Sequence, residues 1–413
     1  MIAALDLAFY GDDFTGSTDA LDVLAKADIE TVLFLRQPDA ETFARLAAGC
    51  RAVGLAGDSR SQTPVWMDAH LPGVFQWMRS LNARLCHYKV CSTFDSSPEV
   101  GSIGRAIEIA RREFDARVVP VVVGAPALRR YVVFGNLFAT VGGETHRIDR
   151  HPVMSRHPVT PMSEGDLRVH LARQTSLRIA GFDLHALAAP DAAARFAALD
   201  ADVVVLDTLD ETSLRQAGAL LTASGAPFVA GSSGVEYALT RGDAQAMRAD
   251  EVDRIVVLSG SCSAVTAGQI AWAASHGYTM VSIDAVKPDA LRAIEDACAA
   301  AAQGRSVVIY SSASPADRVA LDEAGRHALA ARSGEILVAV LERTGIRRAV
   351  IAGGDTSSHA APALGLQALR FRTALAPGAP LCTAIPSGLE VVFKGGQVGG
   401  EAFFEHVRRG RVA

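Results

Sequence analysis

The sequence predicts an α/β protein of two domains, with mainly parallel sheets flanked by helices and an active site in the cleft between them. Three observations carry this. Short apolar, β-branched runs recur at Thr31–Leu35, Val118–Gly124, Asp202–Thr208, Arg254–Gly260, Arg305–Ser312 and Arg348–Asp355. Such runs read as strands buried on both faces. Between them lie segments with helical spacing of apolar positions, at Asp19–Ala27, Ser102–Phe114, Thr266–His276 and Ala316–Gly334. Finally, one local order recurs at Tyr10–Ser17, Leu258–Thr266 and Ile351–Ser358: apolar strand, glycine or acid, small hydroxyl residues, helix. That order puts each turn at the carboxyl end of a strand, where open α/β sheets bind ligands.

The chain of 413 residues exceeds the usual size of one domain. The stretch at residues 240–252 becomes polar and charged before a new strand opens at Arg254. We therefore expect one domain over 1–245 and a second over 250–413. Phe134–Pro161, with three glycines, three prolines and three histidines, breaks the alternation and reads as an irregular functional loop.

Hydrophobic residues make up 49% of the chain and charged ones 21%, enough to bury two cores. A formal charge of -5 offers no general attraction for nucleic acid or an anionic membrane. The six scattered cysteines form no CxxC pair and do not suggest disulfide staples. The first residues turn acidic at once, and no apolar run reaches membrane-spanning length, so the expected location is cytoplasmic. A homo-oligomer stays open.

The first candidate site is YGDDFTGSTDA, Tyr10–Ala20. One of Asp12 and Asp13 suffices to cap the following helix. The second calls for another role, such as binding a substrate hydroxyl, acting as a general base, or holding a cation. GDSRS adds Asp58 and Arg60, and HYKVCSTFDSS adds Lys89, Ser92 and Asp95. Arginine fits a carboxylate bidentately, and the hydroxyls suit a polyol. A capped helix and solvated loops are the competing account.

Three further turns suit phosphate. VVLSGSCSAVTAGQI places Ser259 and Ser261 before a helix, where backbone amides and the helix start favour an anion. AGGDTSS sets Gly353 and Gly354 beside Asp355 and Thr356, a combination that suits polyphosphate, ribose or magnesium. FKGGQVGG, with Gly396 and Gly399, permits close approach to a nucleotide. None is a Walker A or GxGxxG motif, which disfavours a dinucleotide dehydrogenase. GSSGVEYAL lacks the glycine of a nucleophile elbow, which disfavours a hydrolase. Neither Cys86, His87 and Cys91 nor His146, His151 and His157 has convincing metal spacing, so the metal ligands stay unassigned.

In their order and spacing, YGDDFTGSTDA, YKVCSTFDSS, FGNLFA, RHPVTPM, GSSGVEYAL, VLSGSCSAVTAGQI, IAGGDTSS and FKGGQVGG resemble the four-carbon acid sugar kinase family almost end to end. The resemblance implies ATP-dependent phosphorylation of the terminal hydroxyl of a small sugar acid, a four-carbon aldonate or 3-oxo-tetronate. It implies a sugar-acid-binding N-terminal domain and a nucleotide-binding C-terminal one, with magnesium accompanying ATP. It carries Asp12 and Asp13 to the catalytic position; we expect Asp13 to act as the base, with Asp12 as the alternative. Thr15, Gly16, Asp58, Arg60, Lys89, Ser92 and Asp95 go to the substrate. Ser259, Gly353, Gly354, Asp355, Thr356 and Gly399 go to ATP, and the phosphate-suited turns above add Ser261 and Gly396. Relatives commonly carry a serine and an asparagine in the last loop, which here reads Lys394-Gly-Gly-Gln-Val-Gly-Gly400. Ser358 and His359 also depart from the usual small or apolar residues. These departures keep two alternatives in view: a kinase for a branched or oxo sugar acid, and a non-catalytic sensor.

Overall fold

The computed structural model describes residues 5–157, 159–240, 248–284, 286, 289–312 and 322–412, and leaves the side chains of 323, 327 and 355 undescribed. The chain forms two compact units, Met1–Thr31 with Asp39–Asp243, and Val32–Pro38 with Ala244–Ala413. Most of the expected break at 240–252 falls on 241–247, outside the described residues.

In chain order the strands are β1 Leu7–Gly11, β2 Thr31–Phe34, β3 Ala52–Ala56, β4 Leu85–Lys89, β5 Val119–Val122, β6 Arg130–Val133, β7 Asn136–Val141, β8 Glu144–Arg147 and β9 Ile179–Phe182. There follow β10 Val203–Leu206, β11 Phe228–Gly231, β12 Val256–Ser259, β13 Thr279–Ser282, β14 Val307–Tyr310, β15 Arg348–Ala352, β16 Ala368–Ala376, β17 Ala379–Ile385 and β18 Glu390–Lys394.

The N-terminal unit is built on a parallel sheet in the order β3-β1-β4-β11-β5-β10-β9. Every residue of β1 is buried, as a strand covered on both faces requires. β1 lies between β3 and β4, so the chain first runs to one side of β1 and then crosses, from β3 to β4, to the other. Its carboxyl end is a topological switch point, where a crevice opens. The helix Phe14–Lys26 follows directly.

The segment from Phe134, expected to be irregular, is ordered instead. β6, β7 and β8 form an antiparallel sheet, with Phe134-Gly135 as the two-residue turn between the first two strands. Both turn residues have positive φ, 49° and 77°. Phenylalanine is an unusual first residue for such a turn, so no hairpin signal stands out there in the sequence.

In the C-terminal unit β13-β14-β12-β15-β18 are parallel, and β12 lies between β14 and β15 at a second switch point. The sheet continues antiparallel through β17, β16 and β2. The expectation of mainly parallel sheets holds, with this meander added. β2 reaches it from the N-terminal part of the chain, pairing Val32, Leu33 and Phe34 with Arg370, Leu369 and Ala368. Val257, Ile270, Val350, Leu381, Val392, Phe403 and Phe404 form the core under the sheet. No described helix is long and apolar enough to cross a membrane.

Candidate active site

In the N-terminal unit, Asp13 caps the helix Phe14–Lys26, accepting the Gly16 amide at 2.5 Å. Its other oxygen accepts the Thr15 hydroxyl at 3.2 Å and the Arg60 guanidinium at 2.8 Å. Arg60 reaches in from the turn after β3. Its second amino group donates to both oxygens of Asp95, each at 2.9 Å, from the loop after β4. Asp95 also accepts the hydroxyls of Thr93 at 2.6 Å and Thr160 at 2.8 Å. Three neighbouring strands thus deliver an Asp13–Arg60–Asp95 bridge to one end of the sheet.

Lys89, at the end of β4, is buried and pairs with Asp19 of the helix at 3.4 Å. Gly16 allows this crowding: a Cβ there would come within 2.5 Å of Asp13 Oδ1 and 3.0 Å of Lys89 Nζ. Burial alone would raise the Asp95 carboxyl. The Arg60 charge and hydrogen bonds from Thr93, Arg60 and Thr160 outweigh that and hold it at about 2. Asp12 is the opposite case. It is 3% exposed, and its Oδ1 has no hydrogen-bond partner among the described residues. Burial, reinforced by the neighbouring Asp13 charge, pushes its carboxyl up to about 8. At neutral pH the adjacent acids are therefore not two like charges, because Asp12 holds its proton.

The predicted residues divide accordingly. Asp12, Asp13, Thr15, Gly16, Arg60, Lys89 and Asp95 share this cluster. Ser92 is half-buried on the loop after β4. Asp58 is exposed and accepts from Gln62 at 3.0 Å, so it stands apart. Sequence reasoning missed Asp19, Thr93 and Thr160, although CSTFDSS and RHPVTPM contain the two threonines. A cavity of about 610 Å³ in this unit lies instead against the small antiparallel sheet, among Tyr131, Phe134, Phe138 and Arg147. Its lining is mostly apolar and lacks the charge balance that a sugar acid needs.

In the C-terminal unit the turns after β12, β15 and β18 converge. A Cβ on Gly260 would meet Thr356 Oγ1 at 2.2 Å, and one on Gly396 would meet Ser261 Oγ at 2.6 Å. Gly353, at φ 116°, precedes the helix Gly354–Ala363 and gives it no side-chain cap, so the first amides of that helix stay available. Ser259 Oγ is buried without a partner among the described residues. At Gly399, φ 86°, an added Cβ would come within 2.5 Å of the Phe403 ring. Three features therefore fit a polyphosphate: crowded glycine turns, an uncapped helix start and an orphaned hydroxyl. The Asp355 side chain lies outside the described residues. Here the missed residues are Ser263, Thr266 and Gln269. Ser263 and Thr266 both donate to the Gly396 carbonyl, the latter at 2.9 Å. Gln269 Nε2 donates to the carbonyls of Val398, Gly399 and Gly400 at 2.9–3.1 Å.

Fold and strand-end chemistry define a two-unit α/β protein with a carboxylate–guanidinium cluster in one unit and a glycine-lined anion cradle in the other. Residues 7–239 match a family model described as a sugar-binding N-terminal domain, and residues 256–404 one described as a nucleotide-binding C-terminal domain. The 3-oxo-isoapionate kinase of Paraburkholderia graminis is 46% identical over 100% of this chain and 96% of its own. The 3-oxo-tetronate kinase of Cupriavidus necator is 30% identical over 98% and 96%. A Salmonella typhimurium LT2 structure, provisionally assigned as a tRNA synthase, superposes with a TM-score of 0.79 at 26% identity, covering 98% of both chains. The family models and kinase relatives do not share that assignment. The chain belongs to the four-carbon acid sugar kinase family.

Proposed function

We propose that this protein transfers the γ-phosphoryl group of ATP to the terminal hydroxyl of an oxo sugar acid, 3-oxo-isoapionate first and 3-oxo-tetronate next. The observation that carries this reading is Arg60, fixed between Asp13 and Asp95 at the carboxyl ends of parallel strands. Arg60 is about a quarter exposed and already oriented, which suits it to the substrate carboxylate. Lys89 neutralises the acids around it from its buried position.

Asp13 is the more exposed of the adjacent acids. It orients the attacking hydroxyl and accepts its proton late in the transfer. Asp12 lies behind it in neutral form, which keeps a second negative charge away from the incoming phosphates. Thr15 and Ser92 contact substrate hydroxyls, and Asp58 contributes at the rim. Ser259, Ser261, Gly353, Gly354, Thr356, Gly396 and Gly399 hold ATP through backbone amides and small hydroxyls. Magnesium brought in with the nucleotide would neutralise phosphate charge. Among the described residues no group of three or more His, Cys, Asp and Glu could cage an ion. Positioning and charge stabilisation then supply most of the rate.

ADP release should be followed with MgATP and, in turn, 3-oxo-isoapionate, 3-oxo-tetronate, threonate and erythronate. We expect substrate-dependent release that is strongest with an oxo acid. Background release with every acid, alongside measurable ADP binding, would favour the non-catalytic sensor.

A further inference from the structure

Lys394 ends β18, and its side chain is fully buried. Its ammonium donates to Thr266 Oγ1 at 2.9 Å and lies 6.0 Å from the centre of the Phe403 ring. Among the described residues no carboxylate pairs with it. The elements packed around it offer Thr266 from the helix Ala264–Ser275, Phe403 from the helix Phe403–Arg409 and Ala352 across the ladder from β15. None of these is charged or titratable. Burying a cation is costly, and an anion bound beside it would offset that cost.

The hydrogen bonds around it indicate where such an anion would bind. Thr266 has one hydroxyl proton, which it donates to the Gly396 carbonyl while accepting from Lys394. Ser263 donates to the same carbonyl. The Lys394 carbonyl accepts the Gly353 amide at 3.0 Å. One residue thus ties together the turns after β12, β15 and β18, and it places a buried positive charge beneath them.

We propose that Lys394 is the buried counter-charge of the nucleotide phosphate site, a positioning residue that fixes Gly396 through Thr266 and takes up a solvent proton when the phosphates bind. This rests on the nucleotide reading of the C-terminal unit. Burial pushes the free amine down to about 8, so near that pH part of the population is neutral and can take a proton. An anion settling above it favours the charged form.

The test is calorimetric titration of the full-length protein with ADP at pH 8, in two buffers of different ionisation enthalpy. The wild type should take up a measurable fraction of a proton per ADP, and that fraction should shrink as the pH is lowered from 8 to about 7.5. Lys394→Arg, which stays charged, should bind ADP without uptake. Lys394→Met should bind at least about tenfold more weakly, also without uptake. Wild-type binding with no buffer dependence at pH 8 overturns the proposal even if no variant folds. Uptake that persists in Lys394→Arg assigns the proton elsewhere and also overturns it. Failure of the wild type to bind ADP at all would instead remove the nucleotide reading, and this inference with it.

Discussion

The adjacent acids Asp12 and Asp13 look alike in the sequence and differ completely in their surroundings. Asp13 spends both oxygens on the helix start and on Arg60, while Asp12 has a buried oxygen with no partner among the described residues. The local motif showed that one carboxylate was surplus to capping. It did not show which one, because the surroundings of Asp12 include Arg60 and Tyr88, brought alongside by strands distant in sequence. The difference is measurable in stability. Asp12 titrates near 8 when folded and near its ordinary value of 3.8 when unfolded, so between those values the folded state binds more protons. Its contribution is therefore fully present below about pH 4 and lost as pH rises through about 8. A tenfold difference in proton affinity between the two states corresponds to about 1.4 kcal/mol. Urea midpoints should show Asp12→Asn gaining on the wild type from pH 5 to pH 8; a constant difference would contradict this assignment. Arg60→Ala should leave the buried Asp95 held only by Thr93 and Thr160 and cost about 3–5 kcal/mol, read from the same urea curves.

At the scale of elements, the strand ends were legible and their cross-links were not. The apolar runs and the small residues after them located β1, β12 and β15 with their turns, because parallel strands buried on both faces leave a continuous hydrophobic signature. The antiparallel meander β16–β18 and the hairpin at Phe134-Gly135 lack that signature. Gln269 and Thr266 also escaped notice, since each acts on a loop roughly 130 positions away in the chain. The close approach at Gly396 leads to a prediction at this scale. Gly396→Ala would push a methyl group against Ser261 and Ser263. The KM for ATP should then rise about tenfold or more, with the KM for the sugar acid unchanged. Equal rises in both constants would show a general distortion.

For the whole molecule, composition and charge removed several function classes, and the order of motifs pointed to one family. Length and the polar stretch near residue 245 suggested two domains. They held no hint that Val32–Pro38 would leave its neighbours for the C-terminal unit, because that exchange is written only in the pairing of β2 with β16. In the proposed function the chemistry divides between the units: the N-terminal one handles the hydroxyl through Asp13, and the C-terminal one holds the nucleotide. That division is tested most directly by comparing Asp13→Asn with the wild type in steady-state turnover on the preferred oxo sugar acid, with ADP affinity measured in parallel. We predict that kcat falls about 100-fold or more while ADP binds as before. Turnover near the wild-type value would contradict the role given to Asp13.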